Sequence, residues 1–332
     1  MDSKYYTRRL PFLLTPAIKN YIWGGRKLRD DYNKNIEIYP LAETWECSTH
    51  VDGQSMTEDM SLSEILRANP DWLGSHPLQV MSGKPELPIL IKLIDAKEDL
   101  SVQVHPDDEY ARVHENGSLG KVEMWYVLSA KKDAEIVYGF RQNMTKEIVR
   151  KAIESDKIGQ YLNHVHVEKD DVFFVDAGTV HAIGAGCLIA EIQESSNITY
   201  RLYDYNRKDR NGYMRPLNIK KALEVANLNS KTVPRQPIRV LKYRNGFANE
   251  VLCRCRYFHV ERMILNTEIQ RNLVEYRTES NSFHTLLCID GCGCISTDGF
   301  LLNFFKGDCI FVPADSEVLK LHGRAQILDV SC

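Results

Sequence analysis

Apolar residues recur at alternate positions, or in short unbroken runs, through the middle and the end of the chain. The runs are PILIKLI (88–94), LSVQVH (100–105), EMWYVLSA (123–130), AEIVYGF (134–140), DVFFVDA (171–177), HTLLCI (284–289) and DCIFVPA (308–314). Bounded by Gly, Pro, Asp and Asn, they predict β-strands. Helical spacing interrupts them at SLSEILRANPDWL (61–73), DDEYARVHENG (107–117), TKEIVRKAIESDKIGQYLNHV (145–165) and LNIKKALEVANL (217–228). Helices and strands do not alternate regularly, which argues against a doubly wound parallel sheet and for a mainly β sandwich or barrel with helical insertions. The polar stretch YNRKDRNGYMRP (205–216) leaves the β region through an Asn-Gly turn, and KTVPRQP (231–237) reads as a linker. The expected organisation is therefore one domain over 1–230 and a second over 231–332.

Composition narrows the function classes. The chain has 332 residues, 43% of them hydrophobic, and 42 basic against 45 acidic side chains give a formal net charge of −3. Without a block of like charge there is no footprint for nucleic acid, although a local cationic pocket for a small anion is compatible with that balance. No window approaches the ~18 consecutive apolar residues of a membrane span. The first twenty residues, broken by Pro11, Pro16 and Lys19, lack the apolar core of a secretory leader. Nine cysteines without a C-x-x-C pair point to free thiols in a reducing compartment, so a cytoplasmic protein is expected. The pairs Cys253/Cys255 and Cys292/Cys294 each share a strand face, a spacing that lacks the usual turn of a zinc knuckle.

Candidate chemistry gathers in the first half. In Ser101-Val102-Gln103-Val104-His105 strand periodicity puts Ser101, Gln103 and His105 on one face. Glu123 opens the next strand, with Trp125 and Val127 on its face. The run Asp171-x4-Asp176-Ala177-Gly178-x2-His181 closes a strand with a turn, and Asp308-x4-Pro313-Ala314-Asp315-x2-Val318 repeats its spacing. Both copies resemble the second motif of the cupin superfamily, whose last histidine binds metal. Two imidazoles, a carboxylate and an amide oxygen suit Zn²⁺ or a neighbouring divalent ion. Val318 replaces the histidine in the second copy.

A closer resemblance follows from AETWECS (42–48), LPILIKLIDAKEDLSVQVHPDDEYA (87–111), KVEMWYVL (121–128) and VDAGTVHAIGAGCLIAEIQESSNITYRLYDYNR (175–207). Together they resemble the type I mannose-6-phosphate isomerases in their short bacterial form. The resemblance implies two cupin (jelly-roll-like) barrels, the first catalytic and the second without a metal site. It implies one Zn²⁺ per chain and an aldose–ketose isomerisation of mannose 6-phosphate and fructose 6-phosphate through a cis-enediol. The implied metal ligands are Gln103, His105, Glu123 and His181, and the implied catalytic arginine is Arg201. Glu191, a histidine or a zinc-bound hydroxide are candidate bases, among which the residues do not choose. Lys92, Ser101 and Lys121 match positions in or beside the substrate cleft. Trp45 and Glu46 match another family segment, Trp45 as packing and Glu46 as a hydrogen-bonding group at the cavity floor. A turn is expected at 194–197, and Asp107 with its acidic neighbours should cap the helix that follows. The partner is a phosphosugar, with no nucleic acid and no membrane, and the chain is a monomer or homodimer. Another metal-dependent cupin enzyme and a noncatalytic sugar-binding bicupin are the alternative readings. Three cationic candidates and four intact ligand positions weigh against them.

Overall fold

The computed structural model describes residues 8–209, 211–230, 234, 239–269 and 272–332. The expected linker 231–237 lies outside the described residues apart from Pro234. The fold is mainly β, and among the described residues its strands form three antiparallel sheets.

A five-stranded sheet runs in the order Tyr200–Tyr203, Val102–Val104, His181–Ile183, Glu135–Phe140, Leu162–His166. A six-stranded sheet runs Ala17–Lys19, Glu43–Cys47, Ile89–Asp95, Leu188–Glu194, Glu123–Ser129, Val172–Val175. The strands Ile89–Asp95 and Leu188–Glu194 are buried at every position, and alternation decides where each side chain goes. Ile89, Ile91, Leu93, Leu188, Ala190 and Ile192 face one core, shared with the helix Leu62–Ala68 and with Phe258, Phe283 and Phe311 of the chain's last third. Ile94 and Ile189 face the other, which joins the two sheets through Trp125, Tyr138 and Phe173. Lys92, Glu191 and Gln193 share that second face, so polar groups are carried into the space between two sheets.

The helices cover exposed apolar faces. Lys146–Glu154 and Ile219–Val225 bury Val149, Ile153 and Leu223 against the outer side of the five-stranded sheet. Leu62–Ala68 begins with a capping box between Ser61 and Glu64 and ends before Pro70. Asp107 caps Asp108–His114 by accepting from the Tyr110 amide, as expected from its position. The expected helix over 145–165 is shorter: it stops at Glu154, Asp156 adopts a left-handed φ of 58°, and 162–166 is an edge strand. His164 and His166 lie on its exposed side, near Glu135 and Glu168.

The third sheet holds nine strands. Its main order is Phe12–Leu14, Cys309–Val312, His284–Thr297, Leu319–Ser331, His259–Asn266, Phe247–Arg254, Lys242–Arg244. Val274–Tyr276 adds to Leu319–Ser331, and Phe300–Phe305 to His284–Thr297. The sheet encloses its own core of Met263, Leu286, Ile295, Phe304, Ile310, Leu321 and Ile327. One strand comes from far away, since Phe12–Leu14 pairs with Cys309–Val312. The repeated sequence pattern has a matching local shape. Asp171 and Asp308 each accept from the amide three residues earlier, at 2.8 Å in both, and Gly178 and Asp315 both take positive φ.

Candidate active site

Register builds the site in two facing rungs. In the five-stranded sheet Arg201 pairs with Gln103, and Gln103 with His181. In the six-stranded sheet Trp45 pairs with Lys92, Lys92 with Glu191, and Glu191 with Trp125. Gln193 lies opposite Glu123 in the next row. The turn that delivers His181 needs Gly178, whose φ is +81° and whose missing Cβ would meet the Val225 carbonyl at 2.9 Å.

His105, Glu123 and His181 converge, with ligand atoms all within 4.8 Å of one another, and all three are buried. His105 Nε2 is 3.0 Å from Glu123 Oε1, and His181 Nε2 is 3.6 Å from Glu123 Oε2. The His105 ring nitrogens and Glu123 Oε1 are nevertheless without an aligned hydrogen bond. His181 Nδ1 lies 2.8 Å from the Thr179 carbonyl, which fixes the proton there and leaves the Nε2 lone pair facing the cluster. Gln103 places its amide end 3.4 Å from His181 Nε2, and rotating that amide would present its oxygen. Buried lone pairs left unmet are costly in a native fold. A divalent cation would take one ring nitrogen of His105, a Glu123 oxygen and His181 Nε2, so these residues fit a metal ion.

Electrostatics favour the required protonation states. Burial, then the Lys121 ammonium, pushes His105 down to about 3, so its ring is neutral. Burial also lowers His181. Burial opposes ionisation of Glu123, but Lys121 at 2.8 Å and the two imidazoles outweigh it and hold the carboxyl well below the usual range. Next to this cluster Lys92 Nζ meets Glu191 Oε1 at 2.9 Å. The Trp125 indole N–H is shared between Glu191 Oε2 at 3.0 Å and Glu123 Oε2 at 3.1 Å. Arg201 donates from Nε to Ser101 Oγ at 3.2 Å and from Nη1 to the Pro216 carbonyl at 3.1 Å.

A cavity of about 350 Å³ opens over these groups, lined by Lys92, Ser101, Gln103, Lys121, Glu191 and Arg201 among others. The structure thus brings together every residue singled out from the sequence as ligand, catalytic group or substrate contact. Two details differ. Lys92 and Lys121 are engaged by buried carboxylates and do not present free charge at the mouth. Glu46 does not reach the cavity: it points to the opposite face of its strand, where Lys34 and Thr44 hold it at 2.7 and 2.6 Å. Its place is taken by Glu43, which accepts from the Trp45 indole at 2.8 Å and lines the cavity. Strand alternation contains that signal, because Glu43 shares the face of Trp45. Tyr21, Thr199 and Arg215 also line the cavity and carry no motif that marks them.

Known proteins match this chain over nearly its whole length. Residues 12–143 match the model of the phosphomannose isomerase type I catalytic domain, and 249–332 that of the mannose-6-phosphate isomerase cupin domain. The mannose-6-phosphate isomerase ManA of Bacillus subtilis (strain 168) is 36% identical over 323 residues, 96% of this chain and 98% of the relative. The chain belongs to the type I phosphomannose isomerase family. The mannose-6-phosphate isomerase of Streptococcus mutans is 31% identical, over 96% of this chain and 97% of its own. Among solved structures, the mannose 6-phosphate isomerase of Bacillus subtilis superposes with a TM-score of 0.85 at 32% identity, covering 97% and 99% of the two chains. A putative mannosephosphate isomerase from Archaeoglobus fulgidus, at 19% identity and a TM-score of 0.72, shares the fold. The second match covers most of the nine-stranded sheet, and Val318 lies in the turn that precedes its strand Leu319–Ser331. In this phosphomannose isomerase homologue Cys47, Cys187, Cys288 and Cys309 are buried thiols. Among its described residues no helix is long and apolar enough to cross a membrane.

Proposed function

We propose that the chain is a zinc-dependent aldose–ketose isomerase that interconverts mannose 6-phosphate and fructose 6-phosphate through a cis-enediol. The observation that carries this reading is the convergence of the buried donor atoms of His105, Glu123 and His181 next to a cavity lined by Gln103, Lys121, Glu191 and Arg201. Gln103, His105, Glu123 and His181 would hold the metal. When bound, it supplies Lewis acidity toward the oxygens on C1 and C2 of the open-chain sugar.

The remaining steps belong to the chain's own residues. Glu191 takes the proton from C2 and returns it to C1, while the hydroxyl proton passes from O2 to O1. The Lys92 ammonium at 2.9 Å and the Trp125 indole at 3.0 Å hold the Glu191 side chain in one position for both transfers. Negative charge on the two oxygens grows toward the enediol, and Arg201 answers it from the facing sheet with the terminal nitrogen that Pro216 does not take. Lys121 holds Glu123 as a carboxylate. Ser101 fixes the Arg201 guanidinium and lies at the cavity wall for a substrate hydroxyl. The phosphate end fits the Arg215 side. There Asp204 is shared by Arg207 and Arg215, so two guanidiniums meet one carboxylate and positive charge remains.

We place this machinery in a catalytic domain over 1–230 and assign 231–332 to a second domain without a metal histidine, in a cytoplasmic protein. A coupled assay of mannose 6-phosphate conversion on chelated protein, before and after adding Zn²⁺, tests the reading. Restored turnover supports it, and folded protein inactive with every divalent metal refutes it.

A further inference from the structure

The inward face of the nine-stranded sheet is apolar along most of its length and turns polar at one end. Met263 and Leu265, Ala325 and Ile327, and Leu286 and Cys288 form the apolar part. Continuing each strand by alternation brings His259 and Glu261, Asp329 and Ser331, and His284 onto the same face. Register aligns them: Ser331 lies opposite both His259 and His284, and Asp329 lies opposite Glu261. A cavity of about 520 Å³ opens over this end, closed on one side by His76 and Asn281.

The two acids in it are already compensated. Asp329 accepts from the Tyr276 hydroxyl at 2.9 Å and faces His284 Nδ1 at 2.6 Å. Glu261 faces His259 Nε2 at 3.0 Å and accepts from the Asn249 amide at 2.6 Å. At the rim the short connection between strands Phe247–Arg254 and His259–Asn266 carries Arg254 and Arg256, both exposed. Among the described residues neither guanidinium enters an ion pair. The cavity therefore combines carboxylates and imidazoles in its floor with two guanidiniums at its mouth, of which Arg256 lies over the Tyr257 ring.

We propose that this cavity is a second ligand site, separate from the catalytic one, and that it takes a phosphorylated sugar. A guanidinium such as those of Arg254 and Arg256 pairs with a phosphate through its own fork of N–H donors, while carboxylate, imidazole, hydroxyl and amide groups below suit the several hydroxyls of a sugar. The volume exceeds what a bare phosphate would fill. Arg256 also lines an adjoining cavity of about 350 Å³ that reaches Glu194, three residues along the strand from Glu191. The inference stands on the cavity's own residues and does not need the isomerase reading.

The test is isothermal titration of the full chain with glucose 6-phosphate, and separately with inorganic phosphate. Wild type should show two binding events. The paired substitution Arg254→Ser with Arg256→Ser should weaken one of them at least tenfold while leaving turnover and the far-ultraviolet circular dichroism unchanged. Arg201→Ala should remove only the other. A single event that Arg201→Ala abolishes, or a titration of the paired variant that matches wild type, would overturn the site. Inorganic phosphate binding as tightly as glucose 6-phosphate would overturn the sugar assignment.

Discussion

Glu194 closes the strand that presents Glu191 and is 1% exposed. Its Oε1 accepts from the Val122 amide at 2.8 Å, and its Oε2 has no hydrogen bond. Burial, reinforced by the Asp108 carboxylate, pushes its pKa from the ordinary 4.5 up to about 9. Asp108 is pinned by the Gly120 amide at 2.9 Å and the Tyr257 hydroxyl at 3.0 Å, so it cannot swing away. Between those two pKa values the folded chain keeps a proton that the unfolded chain has released. Stability then falls as pH rises, by about 1.4 kcal/mol per pH unit at most. Accumulated from pH 4.5 to pH 7, the loss is about 3 kcal/mol. Glu194→Gln has the same shape, keeps an acceptor for Val122 and offers a permanent donor to Asp108. Urea unfolding at pH 5, 6, 7 and 8 should show the variant gaining on wild type at each step, with the gap closing near pH 4.5. Two curves that stay parallel across this range, or a variant that is less stable at pH 8, would refute the reasoning.

Other substitutions probe the site and its supports. His181→Ala should lose metal and activity together, read by metal content and turnover. Arg201→Ala should keep the metal and lose about 10²- to 10³-fold in kcat, because its charge acts chiefly in the transition state. Lys92→Met leaves Glu191 buried beside no counter-charge and should cost about 3–5 kcal/mol in chemical denaturation. Adding Glu191→Gln should recover most of that stability and none of the activity. At His284, burial opposes protonation but Asp329 outweighs it and raises the pKa above 6.5. Its imidazolium–carboxylate pair therefore stabilises the fold fully below pH 6.5 and ceases to as pH rises through the higher folded value. His284→Gln should show its largest deficit near pH 6, closing at alkaline pH.

Local chemistry was legible where a single strand carries it. Period-two alternation groups Ser101 with Gln103 and His105, and the spacing after Asp171 ends on His181. The contact between Lys92 and Glu191 was not legible from spacing, because it depends on two strands meeting in one register 99 positions apart. The choice between Glu43 and Glu46 turned on which face of one strand the cavity occupies, a fact supplied by the neighbouring strand. Residues 145–165 read as one helix because Ile158, Tyr161 and Val165 continue its apolar spacing. The left-handed Asp156 and pairing with Glu135–Phe140 override that local preference. The nine-stranded sheet's polar end was invisible for a related reason. His259, His284 and Asp329 come from three strands, and only tertiary pairing aligns them.

The pairing of Phe12–Leu14 with Cys309–Val312 sets a timetable for biosynthesis. At about 5–20 residues per second, the early strand waits roughly 15–60 s on the ribosome before its partner is made. Lys34 and Tyr32 wait as long, since they donate to the carbonyls of Gly307 and Ile289. The six-stranded sheet, complete at Glu194, is made before Phe258, Phe283 and Phe311, which cover its outer face. The nascent chain therefore displays an apolar surface and an unpaired strand edge at once, the combination that recruits chaperones. A ribosome stalled before Cys309 should hold a chain whose catalytic residues are all present but whose first segment is open to protease.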